Sequence, residues 1–155
     1  MKAKVRLLFM DVDGTMTDGK IYMGPNGEVM KAFDIKDGYG IRVLLPLYDI
    51  IPVIITGRTS EIVKNRAEEL GIQELYQEKH DKVETMLRVM ETHHCSAENA
   101  AYIGDDLLDI PCMKLCGFAG CPADAVDEAK AVSDYICKTS GGCGAVREFI
   151  EWLIR

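Results

Sequence analysis

Short apolar runs, each followed by a stretch of helical periodicity, recur along most of the chain. No other feature restricts its fold so strongly. The runs are VRLLFM (5–10), IPVIIT (51–56), ELYQ (74–77), AAYIGD (100–105), GFAGC (117–121) and DYIC (134–137). Between them Ile62, Val63, Ala67 and Leu70 repeat at helical spacing, as do Val83, Met86, Leu87 and Met90. Strands that alternate with helices pair in parallel, and helices then cover both faces of the sheet. The expected fold is therefore α/β, a three-layer α/β/α sandwich of Rossmann type on a parallel sheet. With 155 residues and no linker, repeat or low-complexity tract, a single domain over 1–155 is expected.

One segment departs from the alternation. KIYMGPNGEVMKAFDI (20–35) holds two strand-like runs around Pro25-Asn26-Gly27. A proline that fixes φ, followed by residues that tolerate positive φ, marks a β-hairpin. It follows closely on FMDVDG, so it should project near the mouth of the first strand.

Charge narrows the partners. Lys plus Arg number 18 against 25 Asp plus Glu, a net charge of -7, which disfavours nucleic acid and leaves a small ligand. The longest apolar region, VLLPLYDIIPVIIT, is broken by Pro46, Asp49 and Pro52, so no membrane span is expected. The opening KVRLLFMDVD is too short and too soon charged for an export signal. Cys95, Cys112, Cys116, Cys121, Cys137 and Cys143 include no C-x-x-C pair, and reduced thiols in a cytoplasmic protein are expected. His80, His93 and His94 show no metal spacing, and Met86 and Met90 belong to a helical core stripe.

The polar residues at the strand ends carry the chemistry. Parallel α/β sheets bind ligands beyond the carboxyl ends of their strands. There FMDVDG supplies Asp11 and Asp13, IITGRTS supplies Thr56, Gly57 and Arg58, and IGDDLLD supplies Asp105, Asp106 and Asp109. Lys82 opens the helix that begins in HDKVETML. An isolated D-x-D pair reads equally well as a solvated turn. Joined by Thr56, Lys82 and Asp105 at separate element ends, it is the set that phosphoryl transfer through an aspartyl-phosphate requires.

In that chemistry Asp11 is the nucleophile and a metal ligand, because a carboxylate can attack phosphorus only if a cation such as Mg²⁺ offsets the repulsion of two anions. Asp105 completes the protein's share of the metal shell. Asp13 lies near the leaving oxygen as proton donor and later acceptor, and its backbone carbonyl reaches the metal. Thr56 and the amides after it suit phosphoryl oxygens, and Lys82 balances the remaining negative charge. Asp106 orders a metal-bound water, and Asp109 caps or supports its loop.

These residues and spacings resemble the four motifs of the haloacid dehalogenase phosphatase superfamily: DVDGTMTDG, ITGRTS, Lys82 in DKVETML, and GDDLLD. At finer grain, DGKIYMGPNGEVMKAFDIKDGYGIRVL, YIGDDLLDIPCM and the tail GGCGAVREF look like the capless 3-deoxy-D-manno-octulosonate 8-phosphate phosphatases, over about residues 5–150. The resemblance implies a Mg²⁺-dependent phosphatase for a sugar-acid phosphate. It also implies a homotetramer with the hairpins gathered on the symmetry axis and active sites at subunit interfaces. Short spacings between the motifs leave no room for a lid domain, so a neighbouring chain is the available wall.

By the same resemblance, Arg58 and Arg66 contact the substrate, Arg66 across a subunit boundary, as guanidinium groups grip carboxylates bidentately. Related phosphatases for nine-carbon sialic-type acids tend to carry an acid at the position of Arg58, which keeps such substrates as an alternative. Glu78 stands where the family usually has glycine, Cys143 replaces a polar residue in the glycine-rich tail, and little extension follows as far as Arg155. A non-catalytic partner of a sugar-nucleotide synthetase is the contrasting reading. The intact acid set argues against it, since a binding module has no use for a proton-donating Asp13.

Overall fold

Each apolar run becomes a strand slightly shorter than the run itself. In a computed structural model, which describes residues 5–155, the chain begins with β1 (Leu7–Met10) and the hairpin strands β2 (Tyr22–Gly24) and β3 (Gly27–Met30). A helical stretch follows as α1 (Ile35–Tyr39), a π-turn (Gly40–Leu44) and α2 (Leu45–Leu47). Then come β4 (Ile51–Ile55), α3 (Glu61–Glu69), β5 (Glu74–Tyr76), α4 (Lys82–Thr92) and β6 (Ala100–Ile103). The remainder is α5 (Ile110–Leu115), β7 (Phe118–Cys121), α6 (Asp127–Ala131), β8 (Tyr135–Ile136) and α7 (Ala145–Ile154). Thr56 and Asp105 fall just beyond their strands, because there the chain leaves the ladder for the polar loops.

The six main strands form one parallel sheet in the order β5-β4-β1-β6-β7-β8, and β2 and β3 pair antiparallel as the separate hairpin. β1 is central, with Phe9 opposite Val53 on one side and Tyr102 on the other. From β1 the chain builds outward to β5, returns across to β6 and continues outward to β8. Right-handed crossovers in opposite directions put helices on opposite faces. Accordingly, Leu8 and Met10 pack with Ile41, Val63 and Phe149 on one side of the sheet. Leu7 and Phe9 pack with Met86, Val89 and Met113 on the other. Two-sided burial explains why β1 reads as an unbroken apolar run, and each such side chain contributes about 1.5–3 kcal/mol. Met86 and Met90 are core residues, as their spacing predicts, and all six cysteines are free thiols.

One buried carboxylate ties the first helix to the last. Asp37 is 2% exposed, and its Oδ1 accepts the backbone N–H of Arg147 at 2.8 Å, while Oδ2 has no hydrogen-bond partner. Burial raises its pKa from 3.8 to about 7, with the nearby Asp34 adding to the shift and the Arg147 amide and Arg66 opposing it. The folded state thus binds this proton more tightly than the unfolded chain. Stability falls as pH rises from about 4 to 7, because only the unfolded chain ionises freely there. Asp37→Asn keeps the acceptor and removes the titration. Its melting temperature relative to wild type should rise by several degrees between about pH 5 and pH 8, measured by thermal denaturation. Parallel pH profiles for the two proteins would exclude this account.

Candidate active site

The sheet order creates a crevice at the carboxyl end of β1, where the chain turns to β4 on one side and β6 on the other. Asp11 follows the last residue of β1, Thr56 the last of β4, and Asp105 lies two residues past β6. Lys82 is the first residue of α4, a helix start fixed by Asp81, whose side chain accepts the Glu84 N–H. Four segments far apart in sequence therefore deliver their polar residues to one place.

Lys82 is the hub. Its ammonium, 4% exposed, donates to Asp11 Oδ1 and Asp109 Oδ1, each at 2.8 Å. Asp109 also accepts the Tyr102 hydroxyl at 2.6 Å on Oδ1, and the N–H groups of Asp105 and Asp106 at 3.0 and 3.2 Å on Oδ2. Both of its oxygens are thereby committed, and Asp109 acts as the anchor of Lys82. Asp106 accepts the N–H of Leu107 at 2.7 Å and caps the short helical turn Leu107–Asp109. Asp105 accepts the Thr15 hydroxyl at 3.0 Å. Gly14 has φ +91°, and a Cβ there would lie 2.0 Å from Asp105 Oδ2, so only glycine lets the β1 loop approach so closely.

The electrostatics are those of a cation site. Asp11, Asp105 and Asp109 each offer an oxygen within 4.8 Å of the others. Burial raises the Asp11 pKa well above the ordinary carboxylate range, Asp109 adds to this, and Lys82 opposes it. Burial likewise lifts Asp105 to about 6. With Asp109 already saturated, Asp11 and Asp105 are the carboxylates left to hold a hard divalent ion. Oxygen donors of this kind, crowded and short of positive charge, fit such an ion.

The loop after β4 forms the other wall. Thr56 is 2% exposed, held through its backbone by Tyr76 and Lys79. Gly57 and Arg58 lead to Ser60, whose side chain accepts the Val63 N–H as the cap of α3. Arg58 is half exposed, with one ionic contact to Glu28 at 3.7 Å. Arg66 lies elsewhere, on the last turn of α3. It pairs with Glu69 at 2.9 Å, donates to the Asp34 carbonyl and stacks on Phe33 at 5.4 Å, none of which belongs to the acidic cluster.

Asp13 does not join the acidic cluster. Its Oδ1 accepts from Lys31 Nζ at 2.5 Å, and Lys31 also meets Glu28 at 2.9 Å. Sequence reasoning missed both hairpin residues, together with Thr15, Ser60 and Tyr102. The one available signal was the hairpin's position directly after the paired aspartates. The glycine-rich tail packs beneath the same loop: the Gly142 N–H bonds the Thr15 carbonyl, and a Cβ on Gly141 would lie 2.0 Å from the Gly14 oxygen. Cys143 is exposed, and Arg147 pairs with Glu151 at 2.6 Å. Glu78 has φ +58°, the left-handed region glycine occupies without strain, which accounts physically for glycine being usual there.

Comparison with known proteins agrees with the fold. The family of haloacid dehalogenase-like hydrolases matches residues 55–150. A 3-deoxy-D-manno-octulosonate 8-phosphate phosphatase of Yersinia pestis is 45% identical over 152 residues, 98% of this chain and 81% of the relative. Its counterpart from Escherichia coli K12 is 45% identical over 150 residues, 97% of this chain and 79% of the relative. The crystal structure of the Yersinia pestis phosphatase superposes with a TM-score of 0.94 over 99% of this chain and 82% of that one, at 45% identity. The Moraxella catarrhalis phosphatase, solved with a magnesium ion, a phosphate ion and a KDO molecule, gives 0.93 at 40% identity over 99% of this chain and 88% of that one. A deoxy-D-mannose-octulosonate 8-phosphate phosphatase from Haemophilus influenzae was solved in a cobalt-bound form, with a TM-score of 0.94 at 36% identity, over 97% of this chain and 88% of that one. With a parallel sheet, buried acids at its switch point and relatives of this closeness, the chain is a phosphoric monoester hydrolase and belongs to the haloacid dehalogenase-like hydrolases.

Proposed function

We propose that this protein hydrolyses 3-deoxy-D-manno-octulosonate 8-phosphate to 3-deoxy-D-manno-octulosonate and phosphate, in the cytoplasm, as a single catalytic domain with Mg²⁺. The observation that carries the reaction class is the Asp11–Lys82–Asp109 chain beside Asp105 at the end of the central strand. The substrate rests on the names of relatives 45% identical to this chain.

A Mg²⁺ held by Asp11, Asp105 and the Asp13 carbonyl would neutralise the approach of a phosphate to a carboxylate. Lys82 holds Asp11 in place and screens it from Asp109. An Asp11 oxygen bonds to phosphorus as the bond from phosphorus to the sugar oxygen breaks. The departing electron pair stays on that oxygen, which takes a proton from Asp13. Asp13, now a carboxylate, removes a proton from the incoming water, whose oxygen bonds to phosphorus as the Asp11 ester breaks. Thr56 and the amides of Gly57 and Arg58 hold the equatorial oxygens, Arg58 reaches the sugar acid, and Asp106 would help to order water around the ion once one is bound.

A homotetramer supplies the missing wall. Ile35, Tyr39, Val43 and Leu47 are exposed at intervals of four along one helical stretch, and Ile21, Met23, Val29 and Met30 are exposed on the hairpin. Exposed apolar surface on both the hairpin and this helical stretch supports association of the chain with further copies. Arg66, remote from its own acids, would serve a neighbour's site.

The deciding experiment is Mg²⁺-dependent phosphate release from 3-deoxy-D-manno-octulosonate 8-phosphate, sialic acid 9-phosphate and hexose phosphates, compared by kcat/KM. The octulosonate phosphate is expected to lead by about a hundredfold, roughly 2.7 kcal/mol of transition-state discrimination. A lead for the nine-carbon acid would move the substrate assignment and leave the chemistry of Asp11 intact. Light scattering should give the mass of four chains, and a fully active monomer would dismiss the shared-site reading.

A further inference from the structure

The hairpin is mostly a solvent-facing element, yet one of its lysines is the least exposed charged side chain of the segment. Lys31 is 1% exposed at the side chain, with Asp13 Oδ1 at 2.5 Å and Glu28 Oε2 at 2.9 Å. Residues three apart would lie on opposite faces of a continuing strand. Because β3 stops at Met30, the chain turns, and Glu28 and Lys31 meet over the β1 loop. Glu28 reaches further. It accepts the Ser60 hydroxyl at 3.1 Å and lies 3.7 Å from Arg58. An unbroken chain of contacts, Asp13–Lys31–Glu28–Ser60, thus joins the β1 loop to the cap of α3 through the hairpin.

This arrangement is costly for the hairpin alone. Removing an ammonium and a carboxylate from water is seldom repaid in stability relative to apolar side chains of similar volume. Burial acts to lower the Lys31 pKa, but hydrogen bonds to Asp13 and Glu28 prevail and keep it raised. The geometry also leaves a specific vacancy in function: Lys31 occupies one oxygen of Asp13, so the other is the one free to exchange a proton with a ligand.

We propose that Lys31 is a positioning residue for the reaction, orienting the Asp13 carboxyl toward the leaving oxygen, with Glu28 and Ser60 fixing Lys31 relative to the phosphate loop. The proposal rests on the phosphatase reading above. In the phosphoryl-transfer step, which kcat/KM reports, it makes Lys31 matter where the leaving oxygen needs a proton; the later activation of water by Asp13 is common to all substrates. A sugar alkoxide cannot leave without a proton, whereas p-nitrophenolate leaves readily without one.

The test compares kcat/KM for 3-deoxy-D-manno-octulosonate 8-phosphate and p-nitrophenyl phosphate in Mg²⁺-loaded wild type, Lys31→Met and Glu28→Gln. Lys31→Met should lose about 10- to 100-fold on the sugar phosphate and less than about threefold on the aryl phosphate. Glu28→Gln should show the same selectivity with a smaller loss, and it retains Lys31 should the methionine variant fold poorly. Equal losses on both substrates, or no loss on either, overturn the proposal while the phosphatase reading stands. A wild type that releases phosphate from neither compound overturns the phosphatase reading itself, and the proposal with it.

Discussion

Asp11→Asn is expected to lower kcat by about ten-thousandfold or more while leaving the metal-free fold at least as stable as wild type. The two effects have one cause. Asp11 is 8% exposed, and its carboxylate lies among Asp105 and Asp109 with a single cation, Lys82, shared between two acids. Its ionised form is therefore strained in the folded state, which is why its pKa is driven upward. An asparagine of the same shape still accepts from Lys82 but carries no charge, so the strain is relieved. It also has no anionic oxygen to form an ester with phosphorus. Phosphate release and thermal melting with and without Mg²⁺ separate the two: activity collapses, the metal-free melting temperature holds or rises, and the Mg²⁺-dependent gain shrinks. Activity within tenfold of wild type would remove Asp11 from the role of nucleophile.

Lys82→Met should act in the opposite sense on stability. The substitution preserves length and removes the only cation bonded to Asp11 and Asp109 among the described residues. Stripping a buried ion pair of one partner costs about 3–5 kcal/mol, on the order of 10 °C for a chain of this size. Turnover should be lost as well, because the charge between nucleophile and phosphate goes unbalanced. The double variant Lys82→Met/Asp109→Asn discriminates between the causes. Its amide nitrogen can donate to Tyr102 while its oxygen keeps the N–H groups of Asp105 and Asp106, so no unpaired carboxylate remains at that position. Much of the melting temperature should return, with activity still absent. A Lys82→Met protein as stable as wild type would mean that the acids are neutralised in some other way.

The fold was legible because its signals are local. A strand buried on both faces must be continuously apolar, as Leu7–Met10 is, and a helix packed on a sheet must repeat at 3.6, as Val83, Met86 and Met90 do. The strand ends were legible for the same reason: Asp11, Thr56 and Asp105 stand where an apolar run stops. Their convergence followed from the rule that parallel strands share a carboxyl edge. Asp109 was read only as a loop support because nothing in GDDLLD announces that its oxygens meet Tyr102 and Lys82, residues 7 and 27 positions away.

The sequence by itself determined the layered α/β architecture, the edge of the sheet that carries the acids, and the hairpin after the first strand, since periodicity and turn residues are properties of neighbouring positions. Only the tertiary structure decided which acid holds which base. That Lys82 bridges Asp11 and Asp109, that Lys31 returns from the hairpin to Asp13, and that Gly141 packs against Gly14 depend on contacts across 18 to 127 positions. Charge pairing over such separations is set by where packed elements place their side chains, and no local pattern encodes it.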